Sequence, residues 1–272
     1  MNGISHTALG VGTLRALHRI VDAEPWVIDD PVSLTLFGDA ARYLAEHDPD
    51  SRTDPARIAL RGHVLVRSAF AEERLRAAIA RGVRQCVIVG AGYETFAYRQ
   101  PPWTDGLHIF EVDAPATQSD KRARLAHHAI TIPPNVTYAP IDFEQASLAH
   151  GLTTAGFDPT APAFFSWLGV MVYLTRPAVD AVFRYVAALP RTSEIAFTYT
   201  PPGGSEKLAR RVAELGEPLL TRLTPEEIEP LLRTFGFSDM TLLSIEAAHA
   251  YLGQRTDTLR LPPRESIAAA IV

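Results

Sequence analysis

The chain has 272 residues, of which 47% are hydrophobic and 21% charged, with a formal net charge of −5 at pH 7. These values fit a globular protein with one substantial core, and the acidic balance, with no basic stripe carrying interleaved aromatics, argues against a nucleic-acid partner. A single cysteine, Cys86, excludes an internal disulfide and reads as a small buried hydrophobe. The longest apolar run, 163–174, is too short to span a membrane and contains Ser166 and Gly169. Arg15, His18 and Arg19 interrupt any signal-peptide core, so a cytoplasmic protein is expected.

Leu9, Leu14, Leu17 and Val21 recur at near-helical spacing and predict an amphipathic helix over 7–21. The stretch 29–55 reads as irregular. Asp29-Asp30-Pro31 and Asp48-Pro49-Asp50 are turn signals, with a short helix around 39–46. A helix over 58–67 follows, and 72–81 either continues it or starts after a kink, with Gly82 as its stop. The first 82 residues are thus helical and precede the sheet, either as a cap over the site or as a plain packing layer.

Cys86, Val87, Ile88 and Val89 form a short β-branched run, as expected of a central parallel strand. Gly90, Ala91 and Gly92 follow at once. Glycine allows a sharp turn and close backbone approach. A strand that ends in Gly-x-Gly and feeds a helix holds a nucleotide-like cofactor at the carboxyl edge of a doubly wound sheet. Thr95 stands where a dinucleotide site has its third glycine, and no Gly-Lys-Ser/Thr follows, so NAD and nucleoside triphosphates are disfavoured. The second strand, 107–113, ends in Glu111 and Asp113, which share one face. One acid can accept from ribose hydroxyls while the other pins the turn.

Further on, a helix over 117–127 ends in His127-His128, which lacks metal-ligand spacing and suits a helix C-terminus. Strand three, 136–141, is closed by Asp142. A helix over 145–155, strand four at 163–168, a helix over 177–189 behind Thr175, and strand five at 194–199 complete the alternation. An extra helix is predicted over 206–215. Thr224 and Glu227 form a capping box for a helix that Gly236 ends. The segments 240–245 and 258–261 are expected to pair as closing antiparallel strands. Strands alternating with helices predict an α/β fold with a doubly wound, mostly parallel sheet.

Three motifs carry a resemblance: the run from Val89 through Gly90-Ala91-Gly92-Tyr93-Glu94 to Arg99; Phe110-Glu111-Val112-Asp113-Ala114-Pro115 with Lys121 and Arg122; and Pro140-Ile141-Asp142-Phe143. Together they resemble the leucine carboxyl methyltransferase family, in particular a bacterial, largely actinobacterial branch that includes polyketide carboxyl O-methyltransferases. The resemblance extends from Thr7 to Asp257. It implies a class I methyltransferase (Rossmann-like) fold, with 1–82 as a helical cap, 83–272 as the core, and an insertion at about 201–222. It also implies S-adenosyl-L-methionine as methyl donor, S-adenosyl-L-homocysteine as product, no metal, and a small-molecule acceptor in secondary metabolism, with the oligomeric state left open.

The resemblance places Gly90, Ala91 and Gly92 against the methionine part of the donor and Asp113 on its ribose, with Glu111 beside it. Asp142 and Phe143 fall at adenine and Arg67 at the donor carboxylate. Leu168 is placed among the cofactor-binding residues, where more distant members of the family carry a glutamate; Tyr93-Glu94 replaces the usual Leu-Asp, and Thr198 the aspartate of many members, changes that fall near the substrate side. Arg99 is a candidate brace for Glu94 or Glu111. A carboxylate acceptor is ionised and needs no base. A hydroxyl acceptor would, with His6 or His249 as candidates, while Tyr173 and Tyr199 are candidates to line the acceptor pocket. A non-catalytic binding module is the rival from another class.

Overall fold

The computed structural model describes residues 3–141, 146–203, 206–264 and 266–272. Four helices precede the sheet: α1 His6–Val21, α2 Pro31–His47, α3 Asp50–Thr53 and α4 Pro55–Ala80. The core then runs β1 Gln85–Val89, β2 His108–Asp113, α5 Pro115–His127, β3 Val136–Pro140, α6 Leu148–Thr154, β4 Ala163–Trp167, α7 Arg176–Ala187 and β5 Glu194–Thr198. It closes with α8 Glu206–Glu214, α9 Pro225–Phe235, β6 Asp239–Leu242, α10 Ile245–Leu252 and β7 Ile267–Ile271. Among the described residues no helix is long and apolar enough to cross a membrane.

The strand order is β3-β2-β1-β4-β5-β7-β6. Strands β1 to β5 are parallel, with β1 central: Val87 sits beside Phe110 of β2 and Phe165 of β4. β7 runs antiparallel between β5 and β6. The order reverses between β1 and β4, and the crevice at the carboxyl ends there is where such a sheet takes a ligand. Successive residues of β1 serve two cores. Val87 and Val89 join Phe110, Phe165, Trp167 and Phe183 on one face. Cys86 and Ile88 join Leu65, Phe70, Ile109 and Phe164 of the α4 face. Both faces are covered, so the strand reads as an unbroken apolar run.

Several expectations are corrected. The stretch 29–55 is largely helix: Asp30 caps α2 by accepting from the Ser33 N–H at 2.8 Å, and Pro31 opens the helix. Asp and Pro signal a helix start as readily as a turn. Of the two alternatives for 72–81, the continuous one holds: α4 is one helix of 26 residues. No α-helix follows the glycine turn; two 3-10 turns, Phe96–Tyr98 and Pro102–Thr104, fill the space before β2. Pro101 and Pro102 leave too little chain for an α-helix there. The expected strand over 258–261 is loop, and β7 lies instead in the alanine-rich tail. Ala268, Ala269 and Ala270 are buried between β5 and β6, where small side chains fit and strand propensity alone gave no signal. The capping box at Thr224 and Glu227 and the left-handed stop at Gly236 form as expected.

The 258–261 loop lies hard against α4. A Cβ on Gly62 would collide with the Arg260 carbonyl, whereas one on Gly10 of α1 would meet nothing. Gly62→Ala is therefore expected to cost about 2 kcal/mol in urea unfolding. Gly10→Ala should stabilise by about 0.5 to 1 kcal/mol.

Candidate active site

Gly90 and Gly92 take positive φ angles of 66° and 47°. The chain reverses tightly enough for the Ala91 N–H to donate to the Val112 carbonyl at 2.9 Å, tying the end of β1 to β2. The Gly92 N–H donates to Asp113 Oδ2, and the Ala114 N–H reaches Asp113 Oδ1 at 2.6 Å. Burial raises the Asp113 carboxyl above its usual range, against the pull of these two N–H groups. A Cβ on Gly90 would strike the Val170 side chain beyond β4, and one on Gly92 would lie 3.0 Å from Ala8 of α1. The side chains of Val170 and Ala8 thus pack directly on the backbone of the turn, with α1 close above it.

Glu111 does not share this edge. It is fully buried; Lys121 Nζ donates to both of its oxygens at 2.7 and 2.8 Å, and the Tyr98 hydroxyl donates at 2.8 Å. Tyr98 is itself in contact with the Tyr138 hydroxyl at 2.9 Å. With its oxygens so occupied, Glu111 is a buried support of β2 and α5, and the expectation that it meets the cofactor is corrected. Asp113 is the acid that pins the turn, at the carboxyl end of β2.

Arg67 emerges from α4 beside the loop after β4, where a Cβ on Gly169 would lie 2.7 Å from its guanidinium. Its Nε is buried and unpartnered. Burial pushes the guanidinium down to about 10, only partly countered by Glu94. Its neighbours are satisfied. Arg15 of α1 bonds Asp30 at 2.9 Å, Ser68 at 3.1 Å, Glu94 at 2.5 Å and Thr95 at 3.2 Å. Glu94 also accepts the N–H groups of Thr95 and Phe96 at 2.9 and 3.1 Å. Despite its burial, Arg15 and Arg99 draw the Glu94 carboxyl down to about 2. Arg99 braces neither Glu94 nor Glu111 by a direct bond; it grips Glu72 of α4 with both terminal nitrogens. Leu168, where the family carries a glutamate, packs on the α4-side core and lines a cavity of about 20 Å³ with Ser68, Glu72, Glu94 and Phe96.

The expected catalytic candidates separate. Tyr173 lies in a short 3-10 turn after β4, with its hydroxyl beside Thr7, and burial raises its phenol. His6 is exposed at the start of α1. Tyr199 is buried in the main core. His249 is exposed on α10, its ring nitrogen 2.7 Å from the Ile245 carbonyl. Asp142 and Phe143 lie outside the described residues. Three residues at this edge went unread in the sequence: Arg15, Thr7 and Glu217. Arg15 is an apparent polar interruption of an amphipathic helix, and nothing local marks Glu217. A hollow of about 550 Å³, lined by Gln100, Asp105, His108 and Asn135 at the opposite sheet edge, holds none of these groups.

The leucine carboxyl methyltransferase family model matches residues 8–187. A Bacillus subtilis (strain 168) protein provisionally described as an S-adenosyl-L-methionine-dependent methyltransferase is 36% identical over 191 residues, covering 66% of this chain and 62% of that protein. A Mycobacteroides abscessus protein with the same provisional description is 30% identical over 240 residues, covering 85% of this chain and 76% of its own. Among solved structures, one from Thermobifida fusca superposes with a TM-score of 0.57 at 21% identity, covering 88% of this chain and 91% of that one. A Streptomyces avermitilis structure gives 0.57 at 17% identity, covering 95% of each.

Two outcomes follow from the charges. Because the Glu94 carboxyl is depressed from 4.5 to about 2, its stabilisation is complete above pH 4.5 and is lost as pH falls toward 2. Glu94→Gln should therefore cost about 3 kcal/mol near neutrality, and the gap to the wild type should close across that window in acid-dependent urea titrations. Arg67→Met removes a buried guanidinium whose Nε has no partner and whose charge Glu94 only partly offsets. It should raise the unfolding free energy of the ligand-free protein by about 1 kcal/mol or more.

Proposed function

The chain belongs to the leucine carboxyl methyltransferase family of S-adenosyl-L-methionine-dependent enzymes, and we propose that it methylates the carboxylate of a small molecule in secondary metabolism. One observation carries the donor side: the buried guanidinium of Arg67, whose Nε has no partner, lies against Gly169 in the loop that packs through Val170 on the Gly90 turn. An isolated buried cation is costly, and a ligand carboxylate repays that cost with a two-pronged bond that the planar guanidinium suits. The donor's methionine end has such a carboxylate, and Asp113 suits its ribose hydroxyls as acceptor. The residues present fit the donor. When bound, S-adenosyl-L-methionine supplies a methyl group already activated on a sulfonium.

The protein's tasks are then positioning and exclusion of water. Arg67, Asp113 and the glycine turn would hold the donor. The first turn of α1, through Ala8 and Thr7, and the turn bearing Tyr173 shield the carboxyl edge, which fits 1–82 acting as a cap. An acceptor oxygen held in line at near-attack distance completes the geometry. Carboxylate is favoured over hydroxyl by the state of the local titratable groups. Glu94 is held near 2, Tyr173 is raised, and Glu217 is committed to backbone donors. Among the described residues at this edge none of these is poised to take a proton at neutral pH, and an ionised carboxylate requires none. Partial desolvation beneath α1 would strengthen its oxygen as a nucleophile.

Calorimetric titration should show saturable binding of S-adenosyl-L-methionine and S-adenosyl-L-homocysteine and none of NADH. Asp113→Ala should weaken both by about 100-fold, a loss of roughly 3 kcal/mol for charge-assisted bonds to two hydroxyls. Unchanged affinity in that variant would remove Asp113 from the ribose. Because Asp113 is raised by burial, affinity should fall on acidification at a higher pH than for an ordinary aspartate. With a panel of carboxylic acids, methyl ester formation should be nearly flat between about pH 6 and 9, as expected without a general base. A steep rise through that range, or turnover confined to phenols, would favour a hydroxyl acceptor.

A further inference from the structure

The segment after α8 closes over α1 through one buried carboxylate. Glu217 is only 5% exposed. Its Oε1 accepts the His6 N–H at 2.9 Å, and its Oε2 accepts the Thr7 N–H at 3.2 Å and the Thr7 hydroxyl. These partners lie more than 200 residues away in sequence. The first turn of α1 contains no acid of its own, and Ser5 satisfies only the Ala8 N–H, at 3.1 Å. Glu217 therefore supplies both the missing acceptors and the negative charge that a helix N-terminus favours.

The position of that turn gives the contact its meaning. Ala8 lies over Gly92, and the Ser5 N–H donates to Thr117 Oγ1 at 3.1 Å, at the start of the helix that follows Asp113. Thr7 meets Tyr173. The segment bearing Glu217 is itself fixed to the other side of the crevice: the Leu220 N–H bonds the Val172 carbonyl at 2.7 Å, and Thr221 Oγ1 bonds the Leu174 carbonyl at 2.6 Å. The first turn of α1 thus bridges the carboxyl ends of β1, β2 and β4, and Glu217 fastens its free end.

We propose that Glu217 is a positioning residue that latches the first turn of α1 across the donor site, so that donor enters and product leaves only when its bonds to His6 and Thr7 are released. This rests on the donor reading given above. A latch that closes equally over the empty and the filled site slows entry and exit together and leaves equilibrium affinity nearly unchanged. A residue that merely stabilises the fold does not speed both rates.

The test follows S-adenosyl-L-homocysteine binding by stopped-flow tryptophan fluorescence in the wild type, Glu217→Ala, Glu217→Gln and Thr7→Val, with amide hydrogen exchange measured without ligand. In Glu217→Ala both association and dissociation rates should rise about tenfold or more while the dissociation constant moves less than about threefold. Glu217→Gln keeps a carbonyl acceptor and should lie between. Thr7→Val, which removes only the hydroxyl, should shift both rates in the same direction by a smaller factor. Exchange at residues 6–9 should speed up in Glu217→Ala even without ligand. Unchanged rates with unchanged exchange at 6–9 would overturn the latch, as would a change confined to affinity. If the wild type binds no S-adenosyl-L-homocysteine, the donor reading fails instead, and the ligand-free exchange still decides whether Glu217 holds α1.

Discussion

The structure around the crevice depends on the bond between the Gly92 N–H and the Asp113 carboxylate. β1 and β2 run parallel in register, with Val89 beside Val112. The residue just beyond that pair is an acid on β2 and a glycine turn on β1. Positive φ at Gly90 and Gly92 turns two successive N–H groups toward β2, one to the Val112 carbonyl and one to Asp113. The carboxylate repays its burial by closing the turn from outside, accepting the Gly92 and Ala114 N–H groups. Residues with side chains at these two positions would need a strained backbone and would collide with Val170 or crowd Ala8. Turn, acid and covering helix therefore form one interdependent unit.

A second layer of polar contacts ties that unit to the helices before the sheet. Arg15 joins α1 to Asp30 at the head of α2, to Ser68 of α4 and to Glu94 in the turn, so three helices meet the cofactor motif through one guanidinium. Glu94 is one methylene longer than the family's usual aspartate, and it also accepts the backbone N–H groups of Thr95 and Phe96. Those bonds take the place of the helix that ordinarily follows such a turn. Against this satisfied network Arg67 stands out. A buried cation that is only partly offset lowers the stability of the free protein, and a binding site is where such a cost is expected to persist.

Much of the fold was legible because its signals are local. The β-branched run at Val87 to Val89 needs burial on both faces, Thr224 and Glu227 announce a helix start, and Gly236 ends it with a left-handed residue. Misreadings arose where a local signal has two meanings or where tertiary contact decides. Asp30-Pro31 reads equally as a turn or a helix cap. The Ala268 to Ala270 strand exists because it is packed between two neighbours, which propensity does not reveal. For the proposed site, Gly90, Gly92, Asp113 and Arg67 come from motif and resemblance. Glu111 was misassigned because shared strand parity does not show that Lys121 and Tyr98 already occupy its oxygens. Glu217 was invisible, since its partners sit at the far end of the chain.

The role of Arg67 in donor binding is tested most directly by calorimetric comparison of S-adenosyl-L-homocysteine with its decarboxylated analogue on the wild type and on Arg67→Met. On the wild type the analogue should bind at least about 30-fold more weakly, the worth of a charge-assisted bidentate bond of roughly 2 kcal/mol. On Arg67→Met the two ligands should bind alike, so that the two losses do not add. Equal binding of both ligands to the wild type, or fully additive losses, would contradict the pairing of Arg67 with the donor carboxylate.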